Sequence, residues 1–240
     1  MDHPGIARVY DAGSTPAGRP YFAMELVEGR PITEFVEAER LTLRESLVLL
    51  AQVCRAVEHA HQKGIIHRDI KPSNILVTRQ GPEGAPVPKV IDFGIAKATE
   101  GQWTHHTLVT ELSQIMGTPA YMSPEQAAMR SGDMDTRSDI YSLGALLYEL
   151  LTGRTPFDTA TLVEKGLEEL QRTIREVDPP RPSTRLQHLK PEELEQIANM
   201  RQIEAIGLKQ AVLGHRCIVV LVAEEIPGQL VAAGSLRNHV

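Results

Sequence analysis

Eight consecutive residues, 67–74, restrict the fold and the chemistry of this chain more than any other stretch of its sequence. They read His-Arg-Asp-Ile-Lys-Pro-Ser-Asn, and they lie between two short apolar runs at 65–66 and 75–77. A third apolar run at 89–91 leads directly into Asp-Phe-Gly at 92–94. The pattern predicts short strands whose ends place an acid, an amide and a second acid in loops, where functional side chains concentrate.

These motifs follow the order H-R-D-x-x-x-x-N and then D-F-G, with Asp69, Asn74 and Asp92 at the polar positions. That is the signature of protein kinases, so the chain resembles that family. Ser-Pro-Glu at 123–125 and the segment at 139–144 also resemble kinase blocks and occur in the same order. The N-terminal segments HPGIARVYDAG and YFAMELVEG resemble bacterial Ser/Thr kinases of the eukaryotic type.

The resemblance implies an α+β, protein-kinase-like fold with a mainly helical large lobe. Residues 1–30 would be a remnant β-hairpin and hinge of the small lobe, 31–190 the large lobe, and 191–240 a divergent tail. The 240 residues contain no Gly-rich loop of the kinase type. The strand Lys and helix Glu of the family would precede the first residue. We therefore expect a domain truncated at its N-terminus and aberrant at its C-terminus.

Hydrophobic periodicity predicts the main elements of this fold. A helix is predicted over 42–63, with Thr42 and Glu45 in a capping-box pattern and Gly64 at its end. The segment 139–151 predicts a buried helix that is apolar on nearly all sides. Further predicted helices cover 164–176 and 191–206. Predicted strands cover 6–10, 21–27 and the apolar run 65–66, and 78–88 is predicted to be the tip of a hairpin.

By resemblance, the polar residues take roles in phosphoryl transfer from ATP. Asp69 would orient the substrate hydroxyl and accept its proton, and Lys71 would place positive charge against the γ-phosphate. Asn74 and Asp92 would hold Mg²⁺, which prefers oxygen ligands. Thr118 would support Asp69 and Lys71.

The resemblance also places the adenine of ATP against the segment 24–27. Met24 would guard the back of the pocket. The Glu25 carbonyl and the Val27 amide would bond the base, and Leu76 would lie beneath it. For each of these four residues, an ordinary place in a strand or core competes with the binding role.

The substrate class follows from two segments. HRDIKPSN, with Lys71, and GTPAYMSPE, with Thr118, resemble the class that phosphorylates protein Ser and Thr, and small-molecule phosphotransferases rank lower because they usually lack D-F-G and S-P-E. Thr110 or Ser113 is a hypothetical phosphorylation site whose phosphate would pair with Arg68. A solvated polar loop is the competing interpretation of that segment.

Bulk properties exclude several other functions. The net charge of −6 predicts no nucleic-acid partner. The apolar run at 217–223 is too short for a membrane span, and the N-terminus resembles no signal peptide. Cys54 and Cys217 show no metal-ligand spacing, so we expect reduced thiols and a cytoplasmic location.

Two functions from different classes remain open. One is a Ser/Thr protein kinase, and the other is a catalytically dead kinase fragment or pseudokinase-like interaction module. Asp69, Asn74 and Asp92 favour the first, and the missing strand Lys favours the second. For the 240-residue chain alone, we expect weak binding of Mg-ATP and phosphorylation near background.

Overall fold

A computed structural model describes residues 2–17, 20–81, 84–93, 119–128 and 135–213. The strands are β1 (Val9–Ser14), β2 (Pro20–Met24), β3 (Arg30–Pro31), β4 (Ile75–Gln80) and β5 (Ala85–Val90). The helices are α1 (Ile32–Ala38), α2 (Leu43–His61), α3 (Pro124–Ala127), α4 (Thr136–Thr152), α5 (Thr159–Glu164), α6 (Leu167–Glu176), α7 (Pro182–Gln187), α8 (Pro191–Met200) and α9 (Ala205–Leu213). Short 3-10 turns cover Pro72–Asn74 and Pro119–Tyr121. Helices predominate and the strands pair antiparallel, which agrees with the predicted α+β class.

The N-terminal hairpin pairs β1 with β2, from Val9 opposite Met24 to Ser14 opposite Pro20. The predicted strand over 6–10 is therefore misplaced, because Ile6 instead forms an isolated bridge with Val90 of β5. Backbone bonds on both sides of Ile6 hold it there, and its side chain is buried. The second strand ends at Met24, three residues earlier than the predicted end at 27.

The second sheet has the order β3-β4-β5 and contains most of the segment predicted as a hairpin tip. β4 continues to Gln80 and β5 begins at Ala85, so that prediction was wrong for most of 78–88. The prediction failed because Pro86 and Pro88 are typical of turns. They lie two residues apart on an edge strand, where alternate backbone nitrogens point away from the neighbouring strand and need no ladder bond.

Helix α2 begins as the sequence predicts. The Thr42 hydroxyl accepts from the Glu45 amide at 3.3 Å, and the Glu45 carboxylate accepts from the Thr42 amide at 2.8 Å. At the other end Gly64 adopts φ of 72°, which favours glycine. The Ile65 amide bonds back to the Ala60 carbonyl, so residues 65–66 finish the helix end and form no strand, contrary to the prediction.

Helix α4 is the central helix of the core. It begins after the cap residue Asp135 and ends at Thr152, before the cap residue Gly153, so it is longer at both ends than predicted. Leu146 and Leu150 are fully buried and pack in the same cluster as residues of α2. Ile140, however, is 58% exposed, which corrects the prediction of a helix that is apolar and buried on nearly all sides.

The C-terminal helices differ from the prediction mainly by breaks. Gly166, with φ of 101°, separates α5 from α6 within the single helix predicted over 164–176. α8 begins at Pro191 as predicted, but it stops at Met200, and α9 follows as a separate helix. α8 and α9 share a second apolar cluster with Leu47 of α2 and Leu151 of α4. Within the described ranges, no helix is long and apolar enough to cross a membrane.

Candidate active site

Residues 67–74, here called the catalytic loop, are anchored by one buried carboxylate on α4. Asp139 is 1% exposed, and its two oxygens accept from the backbone amides of His67 and Arg68, each at 2.8 Å. The His61 ring nitrogen Nε2 lies 2.7 Å from the same carboxylate, which can only accept, so this nitrogen carries a proton. Three donors thus compensate the cost of burying the Asp139 charge.

His67 lies beneath the loop with its side chain fully buried. Its Nε2 donates to the Ile91 carbonyl at 2.9 Å, and its Nδ1 accepts from the Asp69 amide at 3.2 Å. Both partners have fixed roles, so the ring is the neutral Nε2–H tautomer. Burial lowers the pKa of His67, which agrees with that state. The ring also packs on Phe93, with centroids 4.6 Å apart.

The structure brings three of the predicted site residues together. Lys71 Nζ lies 2.9 Å from Asp69 Oδ2. The Asn74 side-chain amide donates to the same oxygen at 3.1 Å and to the Asp69 carbonyl at 2.8 Å. The Asp69 side chain is 19% exposed, so it is held on one side and open to a reactant on another.

A backbone hydrogen bond brings Asp92 close to the catalytic loop. The Ile91 amide donates to the carbonyl of Asn74, the last residue of the catalytic loop, at 2.9 Å. Asp92 directly follows Ile91, so this bond brings it beside the end of the loop. Asp92 has φ of 61°, in the left-handed region, and its side chain is exposed while that of Phe93 is buried. Such backbone conformations cluster at functional sites because surrounding contacts must maintain them.

The donor set suits Mg²⁺. The Asn74 amide uses its nitrogen toward Asp69, so its oxygen is the atom that could bind a cation, and the Asp92 carboxylate is a second hard oxygen ligand. In the part of the chain that the structure describes, no cluster of three or more His, Cys, Asp or Glu side chains could hold a metal ion alone.

The predicted adenine residues lie on two different elements. Met24 ends β2, and Val27 lies in the extended segment that follows; both are half-buried. Leu76 is on β4 between the buried residues Ile75 and Val77, so strand alternation points it to the opposite face of the sheet.

The Glu25 side chain has a structural role. Its carboxylate pairs with Lys89 on β5 and accepts from the Arg8 amide at 3.2 Å, and the bond with Lys89 lowers the pKa of Glu25. The Glu25 amide donates to the Arg8 carbonyl at 2.8 Å. Glu25 therefore joins the N-terminal segment to the second sheet, through groups other than the carbonyl assigned to adenine.

The predicted residues Thr118, Gly94, Thr110 and Ser113 lie outside the described residues. The segment 119–128 is anchored on α4. The Ser142 hydroxyl donates to the Tyr121 carbonyl at 2.7 Å, and the Ser138 hydroxyl donates to the Glu125 carboxylate at 2.6 Å.

Sequence reasoning missed the anchoring residues. It placed Asp139 only at the start of a helix, and it gave no role to His61 or Gln126. A capping-box pattern, Ser123 with Gln126 three residues later, was a signal for one of them. The Asp139 contacts join positions more than seventy residues apart, so a local pattern could not show them.

Comparison with known proteins identifies the family of this chain. The family model described as Protein kinase domain matches residues 1–210. Serine/threonine-protein kinase PknB of Mycobacterium tuberculosis is 41% identical over 189 residues, covering 77% of this chain and 28% of PknB. Serine/threonine-protein kinase PrkC of Bacillus subtilis is 43% identical over 172 residues, covering 71% of this chain and 24% of PrkC.

Serine/threonine-protein kinase Pkn1 of Myxococcus xanthus is 40% identical over 182 residues, covering 76% of this chain and 24% of Pkn1. The chain thus spans about a quarter of the length of these curated relatives. The family match nevertheless covers most of the chain. This chain belongs to the protein kinase domain family.

Proposed function

We propose that this chain transfers the γ-phosphoryl group of ATP to serine or threonine hydroxyls of protein substrates. The observation that carries the proposal is the side chain of Asp69, held between Lys71 and Asn74 and still partly exposed. Both contacts go to Oδ2 of Asp69, so we assign Oδ1 to the incoming hydroxyl. Phosphoryl transfer needs mainly this kind of positioning and charge neutralisation.

In the proposed reaction, the substrate oxygen forms a bond to the γ-phosphorus, and the bond from that phosphorus to the bridging oxygen of ADP breaks. The hydroxyl proton passes to the Asp69 carboxylate, and the electron pair of the broken bond leaves with ADP. Lys71 stabilises the negative charge on the transferring group. Bound Mg²⁺, held by Asn74 and Asp92, would supply further positive charge to the phosphates.

The preference for Ser and Thr is supported by the names of the similar proteins, each a serine/threonine-protein kinase. Lys71 at its place in the catalytic loop agrees with that class. Thr118 is included as a supporting residue on the resemblance alone. We place the reaction in the cytoplasm, the location expected of a chain with reduced thiols.

Adenine is proposed to bind at Met24, the Glu25 carbonyl, the Val27 amide and Leu76. Support comes from the half-buried surface at the end of β2 and from the outward face of β4. The contact of Glu25 with Lys89 would hold this segment against the second sheet.

The test is Asp69→Asn, which keeps the shape of the side chain and removes its basicity. Radiolabel transfer from Mg-ATP to a basic protein is expected to be slow for the wild-type chain. It should fall to background in the variant, because a general base usually contributes ~10² to 10⁴-fold to the rate. Asp178→Asn, at an exposed position, is the matched control and should match the wild type.

Equal transfer above background by the wild-type chain and by Asp69→Asn would contradict the proposed role of Asp69. No transfer by either protein, with Mg-ATP still bound, would favour the alternative of a catalytically dead interaction module.

A further inference from the structure

Gln126 links the segment 119–128 directly to the catalytic loop. Its side-chain oxygen accepts from the Ser123 amide at 2.9 Å, as part of the capping box of α3. Its side-chain nitrogen donates to the Arg68 carbonyl at 2.7 Å. We propose that Gln126 is a positioning residue, which fixes the peptide bond between Arg68 and Asp69 and thereby aims the Asp69 carboxylate. The inference rests on the proposed function of Asp69.

The orientation of the Gln126 amide follows from its partners. A backbone N–H can only donate, and a backbone carbonyl can only accept, so the oxygen must face Ser123 and the nitrogen must face Arg68. A planar group with one acceptor and one donor is required at this position. Glutamate has nearly the same shape but, when ionised, it has no proton to donate.

The backbone at Arg68 needs such support. Arg68 has φ of 67°, in the left-handed region that residues other than glycine rarely occupy. Its amide is held by Asp139 at 2.8 Å, and its carbonyl is held by Gln126. Contacts on both sides of the residue therefore maintain a conformation that is unfavourable by itself.

The same peptide unit is also held at its other end. The Asp69 amide donates to His67 Nδ1 at 3.2 Å, while Gln126 binds the Arg68 carbonyl of that unit. Two bonds on opposite sides of one planar unit fix its rotation. That rotation sets the direction in which the Asp69 side chain leaves the backbone.

Helix α4 contacts both the catalytic loop and the segment 119–128. Asp139 of α4 holds the loop, and Ser138 and Ser142 of the same helix hold the segment 119–128. Gln126 joins the two anchored segments directly. Through this bond, a displacement of α3 would act on the Arg68–Asp69 peptide unit.

Gln126→Glu is the isosteric test, because it keeps the acceptor for Ser123 and loses the donor to Arg68. Hydrogen exchange should become about tenfold faster at the Arg68 and Asp69 amides, since local opening of the loop becomes easier. Any Asp69-dependent transfer should fall about tenfold in kcat with the KM for ATP unchanged, because only the aim of Asp69 is altered.

Ser123→Ala is the matched control. It removes the hydroxyl that accepts from the Gln126 amide at 3.4 Å and leaves the Gln126 bond to Arg68 in place. Exchange should rise at the Gln126 amide, while exchange at Arg68 and Asp69 should stay within about twofold of wild type.

The outcomes separate this inference from the proposed function. If the wild-type chain shows no Asp69-dependent transfer but Gln126→Glu still loosens the loop amides, the positioning of the loop stands and the proposed function fails. If exchange at Arg68 and Asp69 is unchanged in Gln126→Glu, the positioning role is wrong, whatever the transfer assay shows.

Discussion

The catalytic loop and the N-terminal segment 2–27, here called the hairpin region because it contains the β1–β2 hairpin, carry most of the predicted site, and different contacts hold them in place. The loop is tied by hydrogen bonds to Asp139, Ile91 and Gln126, which are far from it in sequence. The hairpin region exposes large apolar side chains, with Tyr10 on β1 68% exposed and Leu26 after β2 83% exposed. Among the described residues, the loop is thus fixed by hydrogen bonds to partly or fully buried groups.

The catalytic loop is the more rigid of the two regions, because more hydrogen bonds to buried groups fix it. Buried polar groups must find partners, so each bond that fixes the loop also removes an alternative conformation. The hairpin region attaches to the second sheet mainly through the Ile6 bridge to Val90 and the Glu25 pair with Lys89. We expect changes in the loop anchors to cost far more stability than changes in the anchors of the hairpin region, in the order given below.

The largest effect is expected for Asp139→Asn. The new amide nitrogen would face backbone donors that the carboxylate now accepts from, and buried groups would lose their partners. We expect the free energy of unfolding to fall by about 3–5 kcal/mol, as when one member of a buried charged network is removed. Urea unfolding measures it, with Asp178→Asn as the exposed control. A loss below about 1 kcal/mol would show that the loop does not depend on this anchor.

A smaller loss of stability is expected when the pH is lowered. It should come from His67 in the catalytic loop and from His3 in the hairpin region. Burial lowers the pKa of both His67 and His3 below the ordinary value of 6.5. The unfolded chain then binds protons more readily than the folded chain. Stability should be constant above about pH 6.5 and fall as the pH decreases below it, by at most about 1.4 kcal/mol per pH unit for one such group.

Comparing the pH dependence of stability between variants of the two histidines tests this more directly than the wild-type profile alone. His67 is fully buried and His3 only half-buried, so His67→Gln should remove more of the acid-dependent loss than His3→Gln. Urea midpoints between pH 7.5 and 5.5 would show this as a flatter profile. A greater flattening by His3→Gln would reverse the expected order of the two regions.

The smallest effect is expected for Glu25→Gln in the anchor of the hairpin region. This change weakens the pair with Lys89, whose side chain is 13% exposed. The expected loss is at most about 1 kcal/mol and should shrink at high salt, because salt screens partly exposed charges. Arg172→Gln, which breaks the more exposed pair with Glu169, is the control and should change stability less. A salt-independent loss comparable to that of Asp139→Asn would contradict the contrast between hairpin region and loop.

Local chemistry explains which elements were predictable. The capping box of Thr42 and Glu45 lies within one helical turn, so the sequence pattern sufficed to place the start of α2. The strand over 65–66 was wrong because the Ile65 amide is used by the helix end. Pro86 and Pro88 concealed β5, since only the sheet order shows that they lie on an edge strand.

The sequence by itself determined the family, because Asp69, Lys71, Asn74 and Asp92 fall in short motifs that follow one another in the kinase order along one chain. Only the tertiary structure decided what holds those residues. The anchors Asp139 and Gln126 act through hydrogen bonds to loop residues that are far away in the sequence. Such contacts depend on where the backbone brings a donor and an acceptor together, and a linear pattern does not contain that information.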